Sequence, residues 1–148
     1  MKTSQQNSSL HILLADDDKD DCFFFEKALK EIAVATHLTT LHDGDSLMHY
    51  LAENSKSLPD ILFLDLSMPR KNGFECLTEI KADGNLKSLP VIVFSTSFAR
   101  DMHFEQGIIS MLHKEGAHHF IRKPGDFEQL KQIIQNALIN VQNEIMPA

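Results

Sequence analysis

Five short strand-like runs, three of them apolar, punctuate the chain, and the stretches between them carry apolar residues at helical spacing. Leu10–Ala15 is apolar and stops at an acidic cluster, as a buried strand would. Phe23, Phe24, Ala28, Leu29 and Ile32 then recur at helical intervals, predicting a helix from about Asp18 to Ile32. Thr36–Leu41 is a β-branched, partly alternating run closed by Asp43-Gly44 as a turn, after which Leu47, Met48, Tyr50 and Leu51 suit a second helix. Ile61–Leu64 follows Pro59-Asp60, and Val91–Phe94 follows Pro90; both are uniformly apolar, as central parallel strands covered on both faces must be. Between them Phe74–Lys81 reads as a third helix closed by Asp83-Gly84. Met102–Glu115 suits a fourth helix with Gly116 as its stop. His118–Arg122 is a short fifth strand, and Phe127–Val141 an amphipathic fifth helix.

Strands alternating with helices imply βαβ units and a parallel sheet. Right-handed crossovers then place helices on both faces, a doubly wound α/β architecture. The 148 residues suit one domain. The polar start Met1–Ser9 reads as a flexible tail, residues 10–142 as the domain, and residues 143–148 as a short C-terminal tail.

The charge balance of 14 basic against 21 acidic residues, net −7, argues against a nucleic-acid partner, which needs a basic face. No apolar run reaches the length of a membrane span, and the start lacks a signal peptide's apolar segment. The two cysteines, Cys22 and Cys76, are too few for a disulfide framework and suit packing on helix faces. A soluble, cytoplasmic protein is expected.

Ligands of an open parallel sheet sit beyond the carboxyl ends of its strands. There the chain places Asp16-Asp17-Asp18, then Asp65, then Ser95-Thr96-Ser97, then Lys123-Pro124. Acids crowded together repel each other, so a cation is expected among them.

Taken together, ADDD at strand 1, LFLDLSMPRKNG around strand 3, VFSTS at strand 4 and FIRKP at strand 5 resemble the receiver domain of response regulators, the CheY-like family. The resemblance runs from about Leu10 to Val141, and four motifs in order are specific where one alone is weak. It implies a five-stranded sheet in the order 2-1-3-4-5. It implies that Asp65 is the phospho-acceptor, attacking a phosphohistidine to form an aspartyl phosphate. Asp17 matches the acid that binds Mg²⁺ directly, Asp16 the neighbour acting through a bound water, and Ser67 the residue lending a backbone carbonyl to the metal. Lys123 and the ion would offset charge on the transferring phosphoryl oxygens. Ser95 matches the switch hydroxyl and Phe120 the aromatic that follows it. Pro69 and Gly73 match the turn after the acceptor, and Pro124 follows a bond that is cis in the family. The ADDD start, FSTS and KPGDF further resemble single-domain receivers that partner phytochrome kinases.

The implied partners are a sensor histidine kinase and a downstream target, a histidine phosphotransfer protein, or a second copy docking through the helix 4–strand 5–helix 5 face. The chain would be a phospho-acceptor with possible autodephosphorylation and not a conventional turnover enzyme.

Other readings stand beside these. Asp17 or Asp18 could simply cap the first helix. Asp65 alone could be a turn residue, Lys123 a solvated lysine, and Phe120 ordinary core. Of the rings in Phe23–Phe25, one is expected to be exposed. His113, His118 and His119 suit the surface better than a zinc site. A phosphorylation-independent scaffold would lack the acids or the lysine, and an aspartate-dependent phosphatase would usually carry a second acid where Ser67 stands. Two departures from the family pattern matter. Extra length near Phe98–Gly107 enlarges the region before strand 5, and Phe120 lacks the hydroxyl of a tyrosine.

Overall fold

A strand that is apolar at every position is stable only when both its faces are covered, and the central runs of this chain are covered on both. The computed structural model describes residues 9–96 and 110–145. The strands are β1 (Leu10–Ala15), β2 (Thr36–Leu41), β3 (Ile61–Leu64), β4 (Val91–Ser95) and β5 (His119–Arg122). They form one sheet in the order β2-β1-β3-β4-β5, and every neighbouring pair is parallel. The helices are α1 (Lys19–Glu31), α2 (Gly44–Glu53), α3 (Gly73–Ala82), the helical residues 110–114 (α4) and α5 (Phe127–Ile145).

Side-chain alternation divides the core into two layers. Ile12, Leu14, Ile61, Phe63, Ile92 and Phe94 pack with Phe25, Leu29, Ile134 and Leu138 of α1 and α5. Leu13, Leu62, Leu64, Val91 and Val93 pack on the other face with Leu47, Leu77, Ile80 and Leu112. Each fully buried side chain of this kind stabilises the fold by about 1.5–3 kcal/mol. Phe25, Phe63 and Phe94 meet edge to face with centroids 5.0–6.0 Å apart.

Three helices on the carboxyl side of the sheet begin with side-chain caps. Asp18, Asp43 and Asn72 accept hydrogen bonds from the backbone N–H groups of Asp21, Ser46 and Glu75, and Asn72 with Glu75 completes a capping box. These caps fix the point at which the chain leaves each strand end.

The structure departs from the sequence expectations in places. Gly44 belongs to the first turn of α2, and its need for glycine is steric: a Cβ there would lie 1.9 Å from the Lys71 carbonyl oxygen. α5 continues past Val141 to Ile145. Two rings of the aromatic run are exposed, Phe23 at 59% and Phe24 at 43%, while Phe25 is buried, because consecutive helical positions point 100° apart. His118 and His119 are half-buried at β5, and His113 is exposed. The first eight residues of the expected fourth helix, and the extra length near Phe98–Gly107, lie outside the described residues. Among the described residues no helix is long and apolar enough to cross a membrane.

Candidate functional site

β1, β3, β4 and β5 run parallel, so their carboxyl ends open on the same edge and bring Asp16, Asp65, Ser95 and Lys123 together. Register does the rest. Asp65 N–H donates to the Ala15 carbonyl at 2.9 Å, and Lys123 N–H to the Ser95 carbonyl at 2.9 Å, so the residues that end the strands are tied in pairs.

Asp65 is only 6% exposed. Its Oδ1 accepts from Ser95 Oγ at 2.8 Å and from the Ser67 backbone N–H at 3.3 Å, while Lys123 Nζ lies 3.4 Å from its Oδ2. Asp16 is buried and accepts from the Asp18 N–H at 3.0 Å and from Lys123 Nζ at 2.6 Å. Asp17 is exposed, yet one carboxylate oxygen from each of Asp16, Asp17 and Asp65 falls within 4.8 Å of the others. This is the one such His/Cys/Asp/Glu group among the described residues. Three carboxylates around an opening to solvent form a hard-oxygen set, which suits a small divalent cation such as Mg²⁺ or Mn²⁺.

Electrostatics at this edge are incomplete. Burial pushes the Asp16 carboxyl up to about 6, against the lowering effect of its bond to Lys123. Burial also works against the charged form of Lys123, but hydrogen bonds to Asp16 and Asp21 prevail and hold the ammonium above its ordinary range. The Lys123 amine also lies 5.7 Å from the Phe94 ring centroid. One buried cation thus serves several acids.

The remaining expected residues fall around this centre. Ser67 is exposed beside Asp65. Pro69 accepts from the Gly44 and Lys71 N–H groups and so fastens the loop after β3 to α2. Gly73 starts α3 where a Cβ would lie 2.4 Å from the Asp65 carbonyl oxygen, so no larger residue fits. Phe120 is half-buried against the α2–α3 layer of the core. Asp18 caps α1, so the capping reading holds for it, whereas Asp17 joins the acid group. The expected cis bond before Pro124 is absent: every described peptide bond is trans. The two isomers of an X–Pro bond differ by only about 0.5–1 kcal/mol, and Lys123 reaches the acids from the trans form.

Two contacts were not read from the sequence. Asp21 pairs with Lys123 at 2.9 Å, and His42 Nδ1 lies 3.1 Å from the Asp16 carbonyl oxygen. Asp21 occupies the third position of α1, in a first turn that faces the strand ends, and that position was its available signal. Cys22 Sγ points at the same Asp16 carbonyl at 3.4 Å, and burial pushes its thiol up to about 12. A cavity of about 170 Å³ opens beside Lys123 between α1 and α5, and one of about 420 Å³ opens beside Ser67 and Ser95.

Comparison with known proteins agrees with this arrangement. Residues 12–135 match the response regulator receiver domain family. The chain is 36% identical over 104 residues to the response regulator Rcp1 of Synechocystis sp., covering 67% of this chain and 70% of that one. The structure resembles that of the phosphorylated cyanobacterial phytochrome response regulator RcpA with a TM-score of 0.79 and 31% identity, covering 95% of this chain and 97% of that one. It also resembles the Mn²⁺-bound form of Rcp1 with a TM-score of 0.73 and 26% identity, covering 94% and 96% of the two chains. With that match, the sheet order and the acidic edge in agreement, the chain belongs to the response regulator receiver domain family of two-component signalling.

Proposed function

We propose that this chain is a phosphorylation-controlled interaction switch, in which Asp65 accepts a phosphoryl group from a sensor histidine kinase. The observation that supports it most is the company of Asp65. A buried carboxylate, a hydroxyl on one of its oxygens, an ammonium beside the other and two acids within reach are what aspartyl phosphorylation requires.

Asp65 attacks phosphorus as the carboxylate. Its O–P bond forms as the P–N bond of the phosphohistidine breaks, and the imidazole leaves with the bonding pair. Lys123 neutralises charge on the phosphoryl oxygens. The Ser95 hydroxyl, which donates to Asp65 Oδ1 beforehand, turns to a phosphoryl oxygen afterwards, and Phe120 follows it. Asp17 and Asp65 would hold Mg²⁺, with Asp16 acting through water and the Ser67 carbonyl completing the set. Bound there, the ion supplies further charge neutralisation for the incoming phosphoryl group. Autodephosphorylation would return the chain to its resting state.

Output follows from a shift in population at the α4–β5–α5 face; α4 and α5 each carry an exposed apolar residue, Met111 and Ile139. That face would dock a target, a histidine phosphotransfer protein or a second copy of the chain. The match to phytochrome response regulators favours a phytochrome-type kinase as the donor.

Incubation with acetyl phosphate and Mg²⁺ tests the reading. Wild type should retain phosphate, Asp65→Asn should not, and Asp17→Ala should lose Mg²⁺-dependent labelling while keeping its circular dichroism spectrum. No labelling of wild type would favour a scaffold, and many-turnover phosphate release a phosphatase.

A further inference from the structure

The phospho-acceptor reading leaves one close contact of the site without a task, the ion pair between Asp21 and Lys123. An ammonium has three N–H donors. Lys123 directs them at three carboxylates: Asp16 at 2.6 Å, Asp21 at 2.9 Å and Asp65 at 3.4 Å. The longest contact is to the residue on which the phosphoryl group would arrive. The lysine is therefore held towards α1 and away from the place where its charge would be needed.

The three partners are not equally able to let go. Asp16 is 1% exposed at its side chain, so a charge released there is far less open to solvent. The Asp21 side chain is 37% exposed and stands on the first turn of α1, where solvent can take the lysine's place. Lys123 itself is 8% exposed at its side chain, so within the site it exchanges one protein partner for another.

Resting on the phospho-acceptor reading, we propose that Asp21 is a positioning residue that competes with the phosphoryl group for Lys123 and so weakens the phosphorylated state. Formation of that state exchanges the Asp21 contact for one to a phosphoryl oxygen. The Asp21 carboxylate then returns to water. The acid acts as a built-in restraint on signal strength, set by one partly exposed ion pair.

Beryllofluoride with Mg²⁺ serves as the phosphoryl mimic, its half-saturating concentration read from the shift in melting temperature. Asp21→Asn removes the competing charge but keeps the side chain's size, and it should lower that concentration by about two- to fivefold, the range for releasing one partly exposed ion pair. Asp21→Glu keeps the charge and should stay near wild type. Asp20→Asn removes a charge from an exposed position of the same turn and should also stay near wild type. Circular dichroism establishes that each variant is folded.

Unchanged or weaker binding by Asp21→Asn, in a wild type that does bind, overturns the inference and leaves the phospho-acceptor reading standing. An equal gain from Asp20→Asn overturns it too, since bulk charge would then account for the effect. A wild type inert to beryllofluoride overturns the phospho-acceptor reading and this inference with it.

Discussion

The two ends of the sheet handle polar side chains in opposite ways. At the amino end, His11 N–H donates to Asp60 Oδ2 at 2.8 Å, and His11 Nε2 meets Thr39 Oγ1 at 2.9 Å. The His11 and His37 rings tilt against each other there at 4.8 Å. Each donor has its own acceptor, and the group is half-buried with solvent at hand. At the carboxyl end, one ammonium is shared by three carboxylates, and two of those acids are buried. The first arrangement is complete by itself. The second is short of positive charge, a deficit that an incoming cation can fill. Chemistry in this protein is expected where the electrostatics were left unfinished.

Removing the one buried cation should therefore produce the largest effect. Lys123→Met leaves Asp16 and Asp65 buried without an ammonium, a loss of about 3 kcal/mol in metal-free buffer at neutral pH. Urea titration measures it, and added Mg²⁺ should restore part of it through the acid group. Removing an acceptor at the amino end should cost less. Asp60→Ala deprives the His11 N–H of its partner for about 1 kcal/mol, with no response to Mg²⁺. Equal losses at the two ends, or a Lys123→Met protein indifferent to Mg²⁺, would erase the contrast.

How much of this contrast the sequence could show depends on what each feature requires. The sheet was legible because uniformly apolar runs such as Ile61–Leu64 and Val91–Phe94 have few other places to go. Their order came from the motifs and not from the pattern. Asp16, Asp65, Ser95 and Lys123 were legible because each directly ends or follows a strand, and parallel strands bring such positions together. Asp21 was not, since a helical acid looks like any solvated or capping residue until the lysine is seen beside it. Gly44 looked like a turn residue because glycine is common in turns. Its actual constraint is the Lys71 carbonyl, a residue 27 positions away, and no local pattern reports that. The isomer before Pro124 is set by small differences that sequence does not carry.

The next effect concerns pH at the carboxyl end. Burial raises the Asp16 carboxyl from 3.8 to about 6. Across that window the folded protein holds a proton that the unfolded chain has lost, so raising the pH costs the folded state stability. The whole contribution is at most on the order of 3 kcal/mol and is nearly complete by about pH 7. Asp16→Asn has nothing to titrate there. In metal-free buffer its stability relative to wild type should rise between pH 4 and 7, as read by urea titration at each pH. A difference that stays flat would show that the buried acid is not held protonated.

The smallest effect has the opposite slope and belongs to the amino end. Burial, and then the neighbouring His37, hold the His11 imidazole below its ordinary 6.5, with Asp60 pulling it partly back. A histidine lowered in this way is neutral in the folded protein while its unfolded counterpart is already charged. Its contribution is present above about pH 6.5 and is lost as the pH falls below that value. His11→Gln keeps a polar side chain but removes the titration. Wild type should therefore lose ground against His11→Gln as the pH falls from 7 to 5, whereas it loses ground against Asp16→Asn as the pH rises. The shift at His11 is the weaker because the site is half-buried and Asp60 opposes it. If both variants drift in the same direction, the two ends of the sheet are not electrostatic opposites, and the reason for locating function at only one of them is gone.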